Sequence, residues 1–417
     1  MSDLPITADT PLFKVRALRL ILITRFASTA SNQMLSVVLG WQVYDLTNSP
    51  LALGMIGLVQ FLPPLLLTLV SGEVADRVDR RTILKWTYVI QTIVTLGLLG
   101  LTLLDEPPIY AFYVMVLMLA LARTFEGPAS QALLPSLVPR DILSRSIAAY
   151  SSASRVANLT GPSIGGLIYA FGPATDYTVC LVLISISTFA NFLLPAPAPL
   201  KPSGQKVSWE TLMAGLVFVW STPILLGVLS LDLMATFFGG VTALLPIFAR
   251  DILAIGPFGF GVLRSAPSIG ALTMSLILTK YPINRNAGQV IFGGVVIYGL
   301  ATIVFGLSHS VILSIFAMLT MGAGDTISQV NRKTLIQVMT PDSVRGRVSA
   351  VSSLSVNIGG QLGQFESGVT AAMMGTVGSV VFGGIAVIGV VGIWAWRFPG
   401  LRKVERADEV MVAGTGT

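Results

Sequence analysis

Twelve long apolar stretches divide this 417-residue chain, and its basic residues respect the division. Of 26 Lys and Arg residues, 21 fall in or at the edges of alternate gaps between the stretches, Arg250 alone falls in gaps of the other parity, and four lie deep inside stretches. A helix needs about 20 mainly apolar residues to cross the hydrocarbon of a bilayer. Stretches near 17–43, 51–75, 82–104, 109–134, 144–170, 175–195, 223–249, 258–280, 287–307, 310–333, 344–372 and 376–398 meet that length. The chain is 53% hydrophobic and 11% charged, against about 25% charged in an ordinary soluble domain. A soluble fold could not cover so much apolar surface, so the sequence predicts an all-α membrane protein with twelve transmembrane helices.

The basic gaps are 76–81, 139–145, 201–206, 280–285, 332–347 and 397–406, whereas the opposite gaps lean acidic with Asp45, Asp105, Glu106, Asp176 and Asp251. The preference of Lys and Arg for the inner side places both termini in the cytoplasm. Lys14, Arg16 and Arg19 precede a first stretch that is too long for a signal-peptide core and lacks a small-residue cleavage site, so it is expected to be retained. A net charge of +6, scattered among loops, suits an anionic lipid surface and argues against a nucleic-acid partner.

Between the sixth and seventh stretches, Pro195, Pro197, Pro199 and Pro202 with Ser203 and Gly204 form an extended linker. Over 207–220, polar Ser208, Glu210 and Ser221 punctuate apolar residues, which predicts a short amphipathic helix on the inner surface. The expected organisation is a six-helix half over 1–194, a cytoplasmic linker with that helix over 195–222, and a second six-helix half over 223–417. A shift of 201 residues pairs Leu134 with Leu335, Asp141 with Asp342, Ala149 with Ala350, Ser151 with Ser352 and Ser152 with Ser353. Both windows follow the fourth stretch of their half, as pseudo-symmetric repeats of a transporter would.

Eight charges lie deep in the stretches: Arg25 in the first, Arg123 and Glu126 in the fourth, Arg155 in the fifth, Asp232 in the seventh, Arg264 in the eighth, Asp325 in the tenth and Glu366 in the eleventh. A charge facing lipid at mid-depth costs from about 2.5 to more than 10 kcal/mol, so these must face protein or water. The third, sixth, ninth and twelfth stretches carry none and are expected at the lipid-facing periphery, with a polar cavity between the halves. The first half sums to +2 and the second to −2. The arginines Arg25, Arg123, Arg155 and Arg264 are substrate-cavity candidates. The carboxylates Glu126, Asp232, Asp325 and Glu366 are proton-coupling candidates, because desolvation favours the protonated form of a buried acid. Pairing across the interface is the competing structural role for these charges. Trp41, Tyr150, Phe237 and Phe238 could line the cavity or fill helix contacts.

Catalytic chemistry finds no support. There is no nucleophile in a recognisable triad, no Cys/His cluster for a metal and no phosphate-cradling Gly-Lys-Ser/Thr loop. Cys180 reads as a small packing residue and His309 as a solvated loop residue. Neither enzyme activity, nor a cofactor, nor a resident metal is expected.

Three motifs carry a resemblance. Residues 72–81, GEVADRVDRR, supply Gly72 for close helix approach, Asp76 to face a helix N-terminus and Arg77, Arg80 and Arg81 to anchor at the inner interface. This run closely resembles the major facilitator signature G-x-L-A-D-R-x-G-R-R, with Val74 for Leu and Asp79 for its second glycine. Residues 123–129, RTFEGPA, look like the family's R-x-x-Q-G segment with Glu126 where Gln is usual; the change either adds a titratable group or neutralises Arg123 at i, i+3. Gly161, Pro162, Gly165 and Gly166 in GPSIGG resemble the G-P-x-x-G-G segment of antiporters, a kinked helix with a small face for close packing. Residues 46–54, 259–267 and 341–350 extend the resemblance to the branch that contains bacterial enterobactin exporters and macrolide-efflux proteins.

That resemblance implies the major facilitator fold in a bacterial cytoplasmic membrane, acting as a monomer on a small-molecule substrate. The leading expectation is a proton-coupled exporter of a siderophore or drug-like molecule by alternating access, driven by the proton gradient. A proton-driven importer of a small organic solute and a non-transporting receptor or scaffold are the alternatives.

Overall fold

A computed structural model describes residues 11–195, 209–283 and 286–404, and among these every regular element is a helix. In hydrocarbon the backbone must satisfy its own hydrogen bonds, which a helix does within one segment. The elements are α1 (Arg16–Thr47), α2 (Pro50–Arg77), α3 (Arg80–Thr102), α4 (Ile109–Leu137), α5 (Arg140–Tyr169), α6 (Pro173–Phe192), α7 (Trp209–Ser221), α8 (Pro223–Phe238), the single-turn α9 (Leu245–Ile247), α10 (Gly256–Lys280), α11 (Ala287–Leu307), α12 (Val311–Met339), α13 (Asp342–Met374), α14 (Thr376–Arg397) and the short α15 (Pro399–Arg402). Residues 196–208 of the expected linker, Asn284 and Arg285 of one basic gap, and both chain ends lie outside the described residues.

Nine spans among the described residues are long and apolar enough to cross a membrane. They match the expected stretches except the first, fifth and eleventh. Those three correspond to α1, α5 and α13, of 32, 30 and 33 residues. Length is ample there, but Ser, Thr, Asn, Gln and charged residues dilute the apolar content. The expected peripheral helices α3, α6, α11 and α14 expose apolar side chains such as Trp86, Phe189, Leu300 and Trp396.

The chain divides into two compact units, Met1–Leu46 with Leu62–Val207 and Thr47–Phe61 with Ser208–Thr417. The dividing line is not at the linker alone: α2 is shared, and Pro63 and Pro64 stand just past its boundary, where each removes a helical donor. In the first unit, Leu18, Ile21, Leu84, Tyr88, Leu133, Ile142 and Ile184 form one core. In the second, Leu225, Val228, Leu231, Ile291, Val295, Leu335 and Val387 do the same. Helix α7 starts and ends near the expected amphipathic helix, and its Gly215 lies close against Arg347 of α13.

The seventh stretch is not one helix. After Phe238 the chain passes through a 3-10 turn (Gly240–Ala243), α9 and a π turn (Phe248–Ile252). Gly239, Gly240 and Pro246 weaken the helical ladder there.

In the first unit the GPSIGG face packs on α1. A side chain at Gly161 would place its Cβ 2.7 Å from Gln33 Cβ and 3.3 Å from the Ala30 carbonyl, and one at Gly165 would lie 3.1 Å from Met34 Cα. Pro162 and Gly166 are buried beside them. The small face therefore sets the α1–α5 spacing. Gly165→Leu is expected to destabilise the purified protein by about 1–3 kcal/mol in thermal unfolding, because overpacking shifts backbone. Gly127→Ala, where no atom lies within 4 Å of a built Cβ, should not lower the midpoint.

Candidate functional site

Helical spacing assembles a polar cluster in each unit. In the first, Arg25, Ser28 and Asn32 share one face of α1, Arg123, Glu126 and Ser130 one face of α4, and Tyr150, Ser154 and Asn158 one face of α5, all at i, i+3 or i+4 intervals. Arg25 Nε donates to Ser154 Oγ at 2.5 Å and its guanidinium stacks 5.2 Å from the Tyr150 ring centre. Arg123 Nη2 donates to Asn32 Oδ1 at 2.7 Å, and Gln33 Nε2 to Asn158 Oδ1 at 2.5 Å. Tyr150 completes the link by donating to Ser130 Oγ at 3.2 Å.

Glu126 is 5% exposed and ties α1, α3 and α4 together. It accepts from Ser28 Oγ at 3.1 Å, Tyr88 Oη at 3.3 Å and Gln91 Nε2 at 2.8 Å. Its hydrogen bonds do not include Arg123, which donates to Asn32 instead. Arg25 and Arg123 thus have neutral oxygens as hydrogen-bond acceptors.

Arg155 is not part of this network. It is exposed on α5 together with Ser151, Ser152 and Val156, because the packed face of α5 runs through Tyr150, Ser154, Asn158 and Gly161, and Arg155 lies off that stripe. Asp176 departs from expectation. The sequence places it in an outer gap, yet it occupies the first turn of α6 with 0% exposure. A helix N-terminus favours an acidic residue, and the Cys180 thiol donates to its Oδ1 at 3.6 Å. The sixth stretch therefore does carry a buried acid.

The second unit's cluster centres on a residue the sequence assigned to a basic gap. Arg332 lies inside α12 and is 3% exposed. Its Nη2 is 2.7 Å from Asp232 Oδ1 of α8 and 3.5 Å from Asp325 Oδ1, and its Nη1 donates to Ser328 Oγ at 3.0 Å. Asp325, Ser328 and Arg332 recur at i, i+3 and i+7, which stacks them on one face of α12. That spacing was the available signal; α12 runs to Met339, beyond the apolar run that hid it.

A cavity of about 230 Å³ opens beside this cluster, lined by Asp232, Asp325, Arg332, Thr236, Tyr298 and Gln364. The broken part of the seventh stretch lines it with Gly239 and Gly240, and Tyr298 Oη donates to the Gly239 carbonyl at 2.9 Å. Irregular backbone at membrane depth is tolerated where it borders such a cavity. Neither Arg264 on α10 nor Glu366 on α13 lines this cavity. Glu366 accepts from its neighbour Ser367 at 3.4 Å. Among the aromatic candidates Tyr150 meets the Arg25 charge, Trp41 packs on Tyr169, and Phe238 packs on both Phe237 and Phe382.

The DRVDRR run is ordered by specific partners. Asp79 caps α3, accepting from the Arg81 and Thr82 amides at 3.3 and 3.2 Å, with φ −54°, so no glycine is required at that position. Arg77 pairs with Glu73 at 2.6 Å, Arg80 donates to the Ala132 carbonyl at 2.9 Å, and Arg81 donates to the Phe192 carbonyl at 2.7 Å, the last residue of α6. A cation at a helix C-terminus meets the negative end of its dipole. Gly72 lies within α2; the Asp76 side chain lies outside the described residues. No group of three or more His, Cys, Asp or Glu among the described residues could hold a metal ion.

A family model described as a transmembrane secretion effector matches residues 7–413. The chain is 26% identical over 378 residues to the enterobactin exporter EntS of Escherichia coli O81 (strain ED1a), covering 90% of each chain, and to the same degree to EntS of Shigella boydii serotype 18. Among solved structures it is similar to a bacterial homologue of the human lysosomal transporter Spinster, with TM-score 0.74 and 13% identity over 97% of this chain and 98% of that one. It is likewise similar to a bacterial homologue of the iron transporter ferroportin, with TM-score 0.71 and 15% identity over 94% of this chain and all of that one (100%).

Removing one member of the Arg332 cluster should expose its coupling. Arg332→Gln leaves Asp232 buried without its cation and is expected to cost roughly 3–5 kcal/mol in thermal unfolding. Adding Asp232→Asn to that variant should recover a measurable part, the non-additivity expected of residues in one network.

Proposed function

The chain belongs to the transmembrane secretion effector family of the major facilitator superfamily, and from that premise we propose that it is a proton-coupled exporter of a small molecule with acidic character. It is a multi-pass membrane transporter and not an enzyme. The contrast in charge between the two polar clusters carries the proposal. In the first unit Arg25 and Arg123 donate to neutral side chains, so each can turn toward an anionic group at little cost in broken ion pairs. In the second unit two carboxylates share a single buried guanidinium.

Asp325 is the carboxylate best suited to exchange protons. It holds Arg332 at the longer distance and its side chain is 50% exposed, against 14% for Asp232. Protonation of Asp325 would leave Arg332 wholly to Asp232, and loss of the proton would restore the sharing. Glu366, half-buried beside Ser367, is a second-rank proton candidate, and Glu126 serves chiefly as the acceptor that joins α1, α3 and α4. Arg155 and Arg264 are retained as accessory cavity residues. The charged loop of Gly72, Asp76, Arg77, Arg80 and Arg81 acts as the gating element, and the small face of Gly161, Pro162, Gly165 and Gly166 as the sliding contact of the antiport cycle.

In this proposal all twelve long stretches cross a bacterial cytoplasmic membrane as two six-helix halves, with both termini inside and the monomer as the working unit. The similarity to enterobactin exporters supports a siderophore as cargo, and the arginines of the first unit favour it over an uncharged drug. Alternating access needs no cofactor beyond the proton gradient.

Inside-out vesicles measure this directly. Uptake of a labelled anionic siderophore should rise several-fold on imposing a lumen-acid gradient and collapse with a protonophore. Asp325→Asn is expected to abolish the gradient response while retaining substrate exchange, whereas unchanged gradient-driven uptake would remove Asp325 from the coupling step. Arg25→Ala and Arg123→Ala should each raise KM for the anionic cargo by about tenfold or more, the size of a lost charge-assisted hydrogen bond of about 1.5–3 kcal/mol, and leave an uncharged macrolide unaffected.

A further inference from the structure

Away from both polar clusters, the first unit carries a surface groove of about 660 Å³ between α1 and α6. Its walls are apolar: Leu20 and Ile23 of α1 face Val182, Ile186 and Phe189 of α6 and Leu193 just past its end, among others. The α6 wall runs from Leu181 to Leu193, which at 1.5 Å per residue is ~18 Å. The hydrocarbon of one leaflet is about 15 Å deep, half of the ~30 Å core. A groove of that length on a membrane helix pair fits one extended acyl chain.

One end of the groove is basic. Arg16 and Arg19 precede Leu20 and Ile23 by four residues each, which puts them on the same face of α1 one turn beyond the apolar wall. Both are exposed. From the other flank, Lys85 of α3 reaches over the Phe192 ring, 5.2 Å from its centre, beside Leu193. None of these three cations is in an ion pair among the described residues. The acidic side chain of Asp79, near the start of α3, is occupied with capping that helix. Phe13, 72% exposed just before α1, adds an aromatic side chain at the same end, where such groups anchor at the membrane interface.

We propose that the α1–α6 groove is a binding site for an anionic phospholipid, one acyl chain lying along Leu20, Ile23, Ile186 and Phe189 and the phosphate held by Arg16, Arg19 and Lys85. Apolar walls of one-leaflet length and a cationic rim are the two chemistries of that ligand. A zwitterionic lipid would satisfy the walls but bring its own cation to the rim. Basic residues close to the bilayer surface each attract anionic lipid. On the positive-inside orientation, the lipid comes from the cytoplasmic leaflet. The site is independent of the transported cargo, since it shares no residue with the Arg25, Arg123 or Arg332 clusters.

Native mass spectrometry on the full chain, released from discs holding equal amounts of dioleoyl phosphatidylglycerol and dioleoyl phosphatidylcholine, tests the site. The wild type should retain the glycerol lipid over the choline lipid by about tenfold, as expected when two or three basic residues contact an anionic head. Arg16→Gln with Arg19→Gln should bring that ratio close to one. Ser185→Trp, which fills the groove without touching its charges, should reduce retention of the glycerol lipid several-fold. Equal retention of the two lipids by the wild type, or full retention by Ser185→Trp, overturns the proposal. So does displacement of the lipid by millimolar inorganic phosphate, which would make the rim an anion site without a role for the acyl chain.

Discussion

A charge at membrane depth costs roughly 2.5 to more than 10 kcal/mol unless another polar group receives it, and much of this structure follows from how each inner charge is received. Arg332 is the strongest instance. Buried at 3% exposure, it draws α8 and α12 together through Asp232 while Asp325 and Ser328 hold it from its own helix. The polar cavity opens beside this shared guanidinium.

The first unit solves the same problem without ion pairs at its centre. Arg25 and Arg123 lean on Ser154, Tyr150 and Asn32, and Glu126 is saturated by Ser28, Tyr88 and Gln91. These neutral hydrogen-bond partners are the feature on which the proposed docking of an acidic ligand rests. The close approach of α5 to α1 at Gly161 and Gly165 brings Asn158 and Ser154 within reach of α1. Packing and electrostatics are here the same design decision.

Backbone obeys the rule that side-chain charges obey. The seventh stretch abandons regular helix between Phe238 and Leu245, and its freed carbonyls are not lost: Gly239 accepts from Tyr298, and Gly239 and Gly240 border the polar cavity. The same rule explains the helix ends. Arg80 and Arg81 donate to carbonyls of α4 and α6, and Asp79 accepts from the amides that open α3. The signature run is therefore a set of helix-end contacts as much as an orientation signal.

The membrane-length helices, the signature motifs and the one-dimensional positions of most inner charges were determined by sequence, because hydrocarbon permits a spanning backbone few forms other than helix and an apolar run of sufficient length declares itself. Arg25, Arg123, Glu126, Asp232 and Asp325 were all legible in this way. Azimuth and partner were not. Only tertiary packing left Arg155 off the packed stripe of α5, sank Asp176 into the start of α6 and drew Arg332 into the core from an apparent loop. Sequence gives distance along a helix; which side of it meets another helix depends on residues far away in the chain, and a charge acquires its role from that neighbour.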